Sequence, residues 1–500
     1  MRQLSQMGQL KSQTTTRLSA AVIRELHLFV PLLACPACGD RTTELGVRHD
    51  ALICTLCKTR FPIYENGLAR VPWLFHDAEV AQLEWRSRYS GFLYSNAAER
   101  ARLRASLDSR GMDRAAKERV THLLNAREAQ RKQVTELLVP LKLAAPRTAS
   151  GLDRAGALHG KLPKQHGMSS YYDNIFRDWS WDNGENEKLF DCVGRVLQRA
   201  APFHPTRLLT LGAGACRLSY DLHRHYHPTL SVALDINPVL LFVGSRVIQG
   251  ETLNLYEFPL APIDKSSVAM LRRCVAPEPL PSSVSSAFIA VAGDVLRMPF
   301  RPGSFDSVVT PWLIDVLPHD FTETVRIVNR ALQPGGLWVN TGSLAFFHRN
   351  ESWCYSEEEA LALIVANGFE IMEHERVAIP YLQSPASAHG RVEQVLSFSA
   401  RKTAEVPDTK RPQYLPDWLL DTERPIPDLD ELVVATADHL LKAQILGAVD
   451  GRRSIEQIAL FVAKHYGLQA SEARGAVQRI LTDLYENTLL RKAESPQELE

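Results

Sequence analysis

Five hundred residues, 45% hydrophobic and 23% charged, are enough for roughly two to four domains with cores of their own. Lys plus Arg (57) balance Asp plus Glu (57), so no overall basic field marks nucleic acid or an anionic membrane as a partner. No run of about 18 apolar residues predicts a membrane span. The Gln-, Ser- and Thr-rich start has no apolar signal-peptide region, so residues 1–30 read as disordered and the location as cytoplasmic.

The first motif is Cys35-x-x-Cys38 followed by Cys54-x-x-Cys57, with fifteen residues between the pairs. In a reducing compartment, two such knuckles predict a closed, structural tetrathiolate zinc site rather than disulfides. The other cysteines, Cys192, Cys216, Cys274 and Cys354, are isolated and read as core or partly exposed thiols. The Cys-Pro-x-Cys knuckle, Phe61-Pro-Ile after the last cysteine and the Gly67-x-x-Arg-x-Pro ending together resemble the small zinc-ribbon proteins that bind and activate methyltransferases. That resemblance implies a docking or stabilising module over residues 31–75, fused to the chain it serves.

Residues 76–167 read as a helical region and linker. The stretch 77–143 is helical by pattern with a break at Gly111, and 145–166 shows no period. From about 168 to 402 the pattern alternates strands and helices. Leu208-Leu-Thr-Leu runs into Gly212-Ala-Gly214, where two glycines allow a tight turn and close approach to a ligand.

A second apolar strand ends at Asp235, 23 residues after Gly212, the position from which a carboxylate holds ribose hydroxyls. A third ends at Gly293-Asp294, where an acid would face adenine or ribose. The dinucleotide fingerprint's third glycine is Arg217 here, which favours S-adenosylmethionine (SAM) over NAD or FAD. The long interval between Asp235 and Asp294, with its prolines at 259, 262, 277, 279 and 281, predicts an insertion that builds a lid or acceptor pocket. A fourth strand at Phe305, an amphipathic helix from Val325, Gln333-Pro-Gly-Gly and a fifth strand follow. This order resembles the class I SAM-dependent methyltransferases, which implies an α/β, Rossmann-like core.

Before the first strand stands Arg177-Asp-Trp-Ser, followed by Gly184-x-x-Glu. With Gly212-Ala-Gly-x-x-Arg-Leu-x-Tyr-Asp221, Ile314-Asp315 and Gly335-Gly-x-Trp-Val-Asn-x-Gly342, it resembles the carnosine N-methyltransferase family. The resemblance implies methylation of an imidazole nitrogen in a histidine-containing dipeptide. It places Asn174 and Arg177 at the amino-acid end of SAM, Gly212 and Gly214 along the cofactor, Asp235 on the ribose, and Asp294 with Val295 at the adenine.

Asp315, one charge within the apolar run Trp312–Leu317, is the candidate catalytic and substrate-binding residue. Its carboxylate would accept the N–H of the acceptor imidazole, fix the tautomer and stabilise the cation formed. Its bland alternative is a helix N-cap; that of Arg177 is a salt bridge with Asp173 or Asp178. Where the family has a histidine after the glycine matched by Gly342, this chain has Phe347 and then His348, both candidate substrate contacts. Where the family has tyrosines before its last strand, this chain has Arg391, Val392 and Glu393. The acceptor pocket is therefore altered, and a peptide histidine or another imidazole or amine is as plausible an acceptor as carnosine.

Residues 403–428 form a Pro-rich linker. Residues 429–500 read as a compact helical or winged-helix-like module, with a capping box at Ser454–Gln457, a helix end at Gly467, a third helix from Ser471 and a short strand at Thr488. Ile445-Leu-Gly-Ala-Val-Asp-Gly-Arg-Arg-Ser-Ile-Glu-Gln-Ile resembles PqqD-type modules, which implies peptide binding; the bland reading is a helical appendage. The whole reads as a SAM-dependent N-methyltransferase acting on an imidazole small molecule or peptide, with no nucleic acid or membrane partner. The alternative is a non-catalytic scaffold that binds a partner through ribbon and tail.

Overall fold

The computed structural model describes residues 27–39, 43–48, 50–108, 111–143, 171–200, 203–280, 287–346, 351–407, 419 and 423–488. The chain divides into two compact units, residues 1–93 with 103–408, and residues 94–102 with 409–500.

The first unit opens with short strands β1 (Leu45–Val47), β2 (Ala51–Cys54), β3 (Arg60–Asn66) and β4 (Ala69–Leu74), then helices α1 (Ala78–Asp108) and α2 (Arg114–Leu138). Gly111 takes a left-handed φ of +100° between these helices. Helices α3 (Tyr172–Trp179) and α4 (Glu185–Ala200) lead into β5 (Arg207–Leu211), α5 (Arg217–Tyr226), β6 (Leu230–Asp235) and α6 (Pro238–Ile248). A hairpin of β7 (Leu253–Glu257) and β8 (Met270–Cys274) occupies the insertion. The remainder is β9 (Ala287–Gly293), β10 (Phe305–Pro311), α7 (Phe321–Ala331), β11 (Leu332–Gly342), α8 (Glu357–Ala366), β12 (Phe369–Tyr381) and β13 (Arg391–Lys402).

In the main sheet, β9, β6, β5, β10 and β11 run parallel in that spatial order. β13 inserts antiparallel between β11 and β12. The central strands are buried on both faces, as their continuous apolar runs require. Helix α7 passes straight into β11, so Pro334-Gly335-Gly336 lies within the start of that strand instead of a separate loop.

The ribbon is not a separable appendage. β4 pairs in parallel with β9 through Trp73↔Ala292 and Leu74↔Gly293, so strands β1–β4 extend the main sheet. A second attachment runs from the start of the ribbon. The N–H of Ala34 donates to the Pro299 carbonyl at 2.9 Å, and that of Arg301 donates to Leu32 at 2.8 Å. Phe29, Leu33, Phe61 and Leu74 belong to the same core cluster as Leu234, Val291 and Val308. The sequence makes the ribbon recognisable through its cysteines but carries no sign of this edge pairing, which joins residues more than 200 positions apart.

The second unit packs α9 (Asp430–Gly447), α10 (Ile455–Tyr466) and α11 (Ala470–Thr488) around Ile445, Ile458, Val462 and Val477. Ser454 and Gln457 form the expected reciprocal capping box, and Gly467 ends α10 with φ +66°. The strand expected from Thr488 onward falls at a helix end and then outside the described residues.

Helix α6 crosses the glycine turn so closely that a Cβ on Gly244 would lie 2.2 Å from the Ala215 carbonyl oxygen. Gly244 thus provides the close helix–turn approach that a third glycine in the turn would otherwise give. Gly244→Ala is expected to destabilise the first unit by about 1–3 kcal/mol, the scale of overpacking a tight core. A urea-unfolding midpoint equal to the parent's would show that the turn and α6 can separate without cost.

Candidate functional site

A cavity opens at the carboxyl ends of the parallel strands, where the chain leaves β5, β6, β9 and β10. Asn174, Arg177, Gly212, Gly214, Asp235, Asp294 and Val295 all line it. Gly212 and Gly214 have φ +68° and +57°, conformations that a side chain resists. A Cβ on Gly212 would also press on the Leu313 side chain at 2.9 Å.

Asp235 locks this turn. Its Oδ2 accepts from the Gly214 N–H at 2.8 Å, and its Oδ1 accepts from Asn237 at 2.7 Å. Burial pushes its pKa up to about 6, against the backbone N–H groups that favour the anion. Asp294 accepts from the Leu296 N–H at 2.9 Å and so starts the short turn carrying Val295 into the cavity.

The Arg-Asp-Trp motif acts as a clamp on the turn. Arg177 pairs with buried Asp178 at 2.7 Å and stands 4.0 Å from Glu185. The Asp178 carbonyl accepts from Arg217 at 2.8 Å, and the Trp179 indole donates to the Ala215 carbonyl at 2.8 Å. The ion pair with Asp178 expected as the bland reading is therefore present, in a buried setting, while Arg177 still faces the cavity. Glu185 reaches across to accept from the backbone N–H groups of Leu382 and Gln383 at 3.0 and 3.3 Å, which ties α4 to the β12–β13 turn.

Asp315 lies just beyond β10, between Leu313 and Val316, which both line the cavity. It caps no helix: the next helix, α7, is capped by Asp320. Asp315 is 7% exposed. Its Oδ2 accepts from Ser343 Oγ at 2.5 Å and from the Ala345 N–H at 3.1 Å, whereas buried Oδ1 has no hydrogen-bond partner. Burial raises its pKa against those two donors, and Glu393 adds a smaller push upward. Trp312, in the cavity wall, has a left-handed φ of +43°, and a Cβ on Gly342 would meet its backbone nitrogen at 2.8 Å. Gly342 therefore lets the end of β11 approach this strained residue.

Of the residues that build the aromatic wall, the sequence reading named Trp312, Arg391 and Glu393 but not Tyr381, Tyr171 or Trp85. Tyr381 at the end of β12 packs on Trp312 with ring centres 5.0 Å apart. Arg391, its register partner on β13, covers the other part of the ring at 4.3 Å. Glu393 accepts from the Trp312 indole at 2.9 Å. Tyr171, Trp85 and Arg88 also line the cavity. Burial pushes the Tyr171 phenol up to about 12, with Tyr381, Asp235 and Asp315 adding to the rise and Arg88 opposing it. An aromatic residue in the segment before the last strand was a readable signal for Tyr381, but its hairpin register was not. Phe347 and His348 lie outside the described residues.

The insertion contributes to a smaller cavity lined by Glu257, Pro259, Leu260, His389 and Arg391. It shares Tyr381 with the main cavity.

In the ribbon, the Sγ atoms of Cys35, Cys38, Cys54 and Cys57 lie within 4.8 Å of one another. Cys35–Cys57 and Cys38–Cys54 are 3.6 and 3.9 Å apart. A tetrahedral metal with about 2.3 Å bonds to sulfur needs about 3.8 Å along each edge, so the cluster fits one. Of the other cysteines, Cys192, Cys216 and Cys274 are buried and Cys354 is exposed. No helix among the described residues is long and apolar enough to cross a membrane.

A parallel sheet of this order, with a glycine turn after its first strand and buried acids ending the next two, defines the class I methyltransferase fold. Residues 157–404 match the family model described as carnosine N-methyltransferase. Over 249 residues the chain is 28% identical to carnosine N-methyltransferase unmet of Drosophila melanogaster, covering 46% of this chain and 53% of that one. Over 256 residues it is 23% identical to the Mus musculus carnosine N-methyltransferase, covering 47% and 62%. The chain thus spans about half the length of the fly relative it matches.

Among solved structures, N-methyltransferase NodS of Bradyrhizobium japonicum is 16% identical, with 45% of this chain and 99% of that chain covered at a TM-score of 0.29. A score that low adds nothing to the topology already described. The family and relative matches support the carnosine N-methyltransferase family for residues 157–404 and a methyltransferase domain there.

Cobalt(II) tests the cysteine cluster directly. Titration of the metal-free chain is expected to reach one equivalent with the intense visible bands of a tetrahedral thiolate site, and Cys54→Ser to abolish them. An octahedral spectrum, or more than one equivalent at saturation, would rule out the four-sulfur arrangement.

Proposed function

We propose that the chain is a SAM-dependent N-methyltransferase that methylates an imidazole nitrogen of a histidine-containing dipeptide or peptide. The observation that carries the reading is the carboxylate of Asp315: Ser343 and Ala345 hold one oxygen, the other is buried without a partner, and its chain neighbours Trp312, Leu313 and Val316 line the cavity. An orphaned buried acceptor is costly, and a donor on a bound ligand removes the cost.

The residues present suit SAM. All of its candidate contacts line the cavity: Gly212 and Gly214 would leave room along its backbone, Asp235 would offer acceptors to the ribose hydroxyls, and Asp294 with Val295 would meet the adenine. Asn174 and Arg177 would hold the amino-acid end, Arg177 as a guanidinium oriented by Asp178. When bound, SAM supplies an electrophilic methyl group on a sulfonium.

The acceptor imidazole attacks through its unprotonated nitrogen, so its other nitrogen carries the proton. Asp315 Oδ1 accepts that N–H, selects the reactive tautomer and stabilises the imidazolium that forms. Tyr381 and Trp312 flank the ring and exclude water. Phe347 and His348 remain candidate substrate contacts in this reading. The ribbon holds one structural zinc, and the C-terminal helices bind a peptide partner in the manner of PqqD-type modules.

Asp235→Ala is expected to weaken SAM binding by roughly 1–3 kcal/mol, the scale of leaving ligand hydroxyls without an acceptor. Parent affinity should also fall as pH drops through about 6, where the raised pKa of Asp235 converts the acceptor anion to the acid. Calorimetry that finds mutant and parent equal, with no acidic decline, removes Asp235 from the site.

Asp315→Asn should leave SAM affinity near the parent value and lower turnover roughly 10²–10³-fold, the scale of one preorganised electrostatic contact. Labelled methyl transfer to a panel of imidazole dipeptides and histidine peptides provides the readout. Because the Asp315 pKa is raised, its carboxylate is lost at higher pH than for an ordinary aspartate. Parent turnover should therefore fall on the acid side, where the acceptor imidazole also protonates. An Asn variant with parental turnover would make Asp315 structural only, and absence of methyl transfer to every imidazole would overturn the acceptor class.

A further inference from the structure

The family-matched stretch begins at residue 157, yet two side chains of the cofactor cavity come from α1, some seventy residues earlier. Trp85 and Arg88 are three residues apart on that helix and so share one face. The Arg88 guanidinium lies over the Trp85 ring at 5.8 Å. Trp85 is 3% exposed and belongs to the core cluster that also holds Val71, Trp73 and Leu240. Its position is therefore set by packing.

The route of the chain places this pair at one particular end of the cavity. β4 pairs with β9 at Ala292 and Gly293, directly before Asp294. Helix α1 starts at Ala78, four residues beyond the end of β4, at the same carboxyl edge of the sheet. Its start is pinned: Asp77 accepts from the N–H groups of Glu79 and Val80 at 3.1 and 2.9 Å, and the Trp73 indole donates to the Ala78 carbonyl at 3.1 Å. His76 Nδ1 contacts the Pro36 carbonyl of the first knuckle at 2.7 Å. Arg88 interacts electrostatically with Tyr171, another residue of the cavity wall. Arg88 has the charge of Glu84, one turn earlier on α1, beside it, as Arg177 has Asp178 with Glu185 close by.

We propose that Trp85 and Arg88 are nucleoside-binding residues of the cofactor cavity, delivered by the ribbon and α1 from outside the family-matched stretch; this rests on the SAM reading above. Trp85 gives the nucleoside a rigid aromatic wall, and Arg88, supported on that ring, donates to its polar edge. The methyltransferase domain is then incomplete without the segment that precedes it.

The test uses the 500-residue chain and two ligands, S-adenosylhomocysteine and 5′-methylthioadenosine, the second lacking the amino-acid end. Arg88→Gln is expected to weaken both roughly tenfold by calorimetry, the scale of one hydrogen bond from a charged donor. Trp85→Phe, which keeps an aromatic ring in the packed core, should weaken both by a smaller factor. Arg88→Lys should restore part of the loss. Asn174→Ala should weaken the homocysteine compound alone.

Unchanged affinity for both ligands in Arg88→Gln and Trp85→Phe overturns the proposal. Loss confined to S-adenosylhomocysteine overturns the nucleoside placement. A parent chain that binds neither ligand overturns the SAM reading itself, and the proposal with it. Affinities are corrected for the folded fraction of each variant, read from its thermal melt, so that a loss of folded protein is not counted as a loss of binding.

Discussion

The parallel pairing of β4 with β9 is the contact on which the arrangement of this protein turns. Only two register pairs carry it, yet they convert a small four-cysteine ribbon into the continuation of a much larger sheet. An exposed parallel edge is a poor place to end a sheet, because its N–H and C=O groups lack partners. Here the ribbon covers that edge, buries Trp73 and Leu74 against it, and then launches α1 across the cavity rim. Thiol geometry, sheet edge and cavity wall are thus linked in sequence by one short stretch of backbone.

Within the core, one buried anion does comparable organising. Asp235 bonds the glycine turn leaving β5 to the turn leaving β6, so two strand ends move as one. The Arg177–Asp178 pair, Arg217 and the Trp179 indole bind the same turn from its other side. A motif that reads in sequence as a ligand contact therefore also works as a brace, and the two roles are compatible. A guanidinium shared with a buried carboxylate keeps donors for a ligand while its rotamer is held.

What was legible in the sequence was local. The strands ending at Leu211, Asp235 and Gly293 showed as short apolar runs, and their order suggested a Rossmann-like core. The four cysteines revealed a cluster through spacing alone, and the Ser454–Gln457 box revealed a helix start. Contacts set by register or by long sequence separation were not legible. Tyr381 meets Trp312 only because the β12–β13 hairpin closes with Tyr381 opposite Arg391. Gly244 looked like an ordinary helical residue, although its missing Cβ admits the Ala215 carbonyl. Trp85 and Arg88 read only as part of a helical stretch, and the edge pairing that brings them to the cavity leaves no mark on composition or period.

Covalent attachment of the ribbon changes the arithmetic of assembly. If ribbon and core were separate chains, their pairing would weaken with dilution and would depend on how much of each a cell made. Joined by one backbone, they meet at a fixed effective concentration, and the pairing becomes unimolecular. The stoichiometry is one to one by construction, and the β9 edge is already filled, so a free ribbon protein would have to displace the tethered one to bind there.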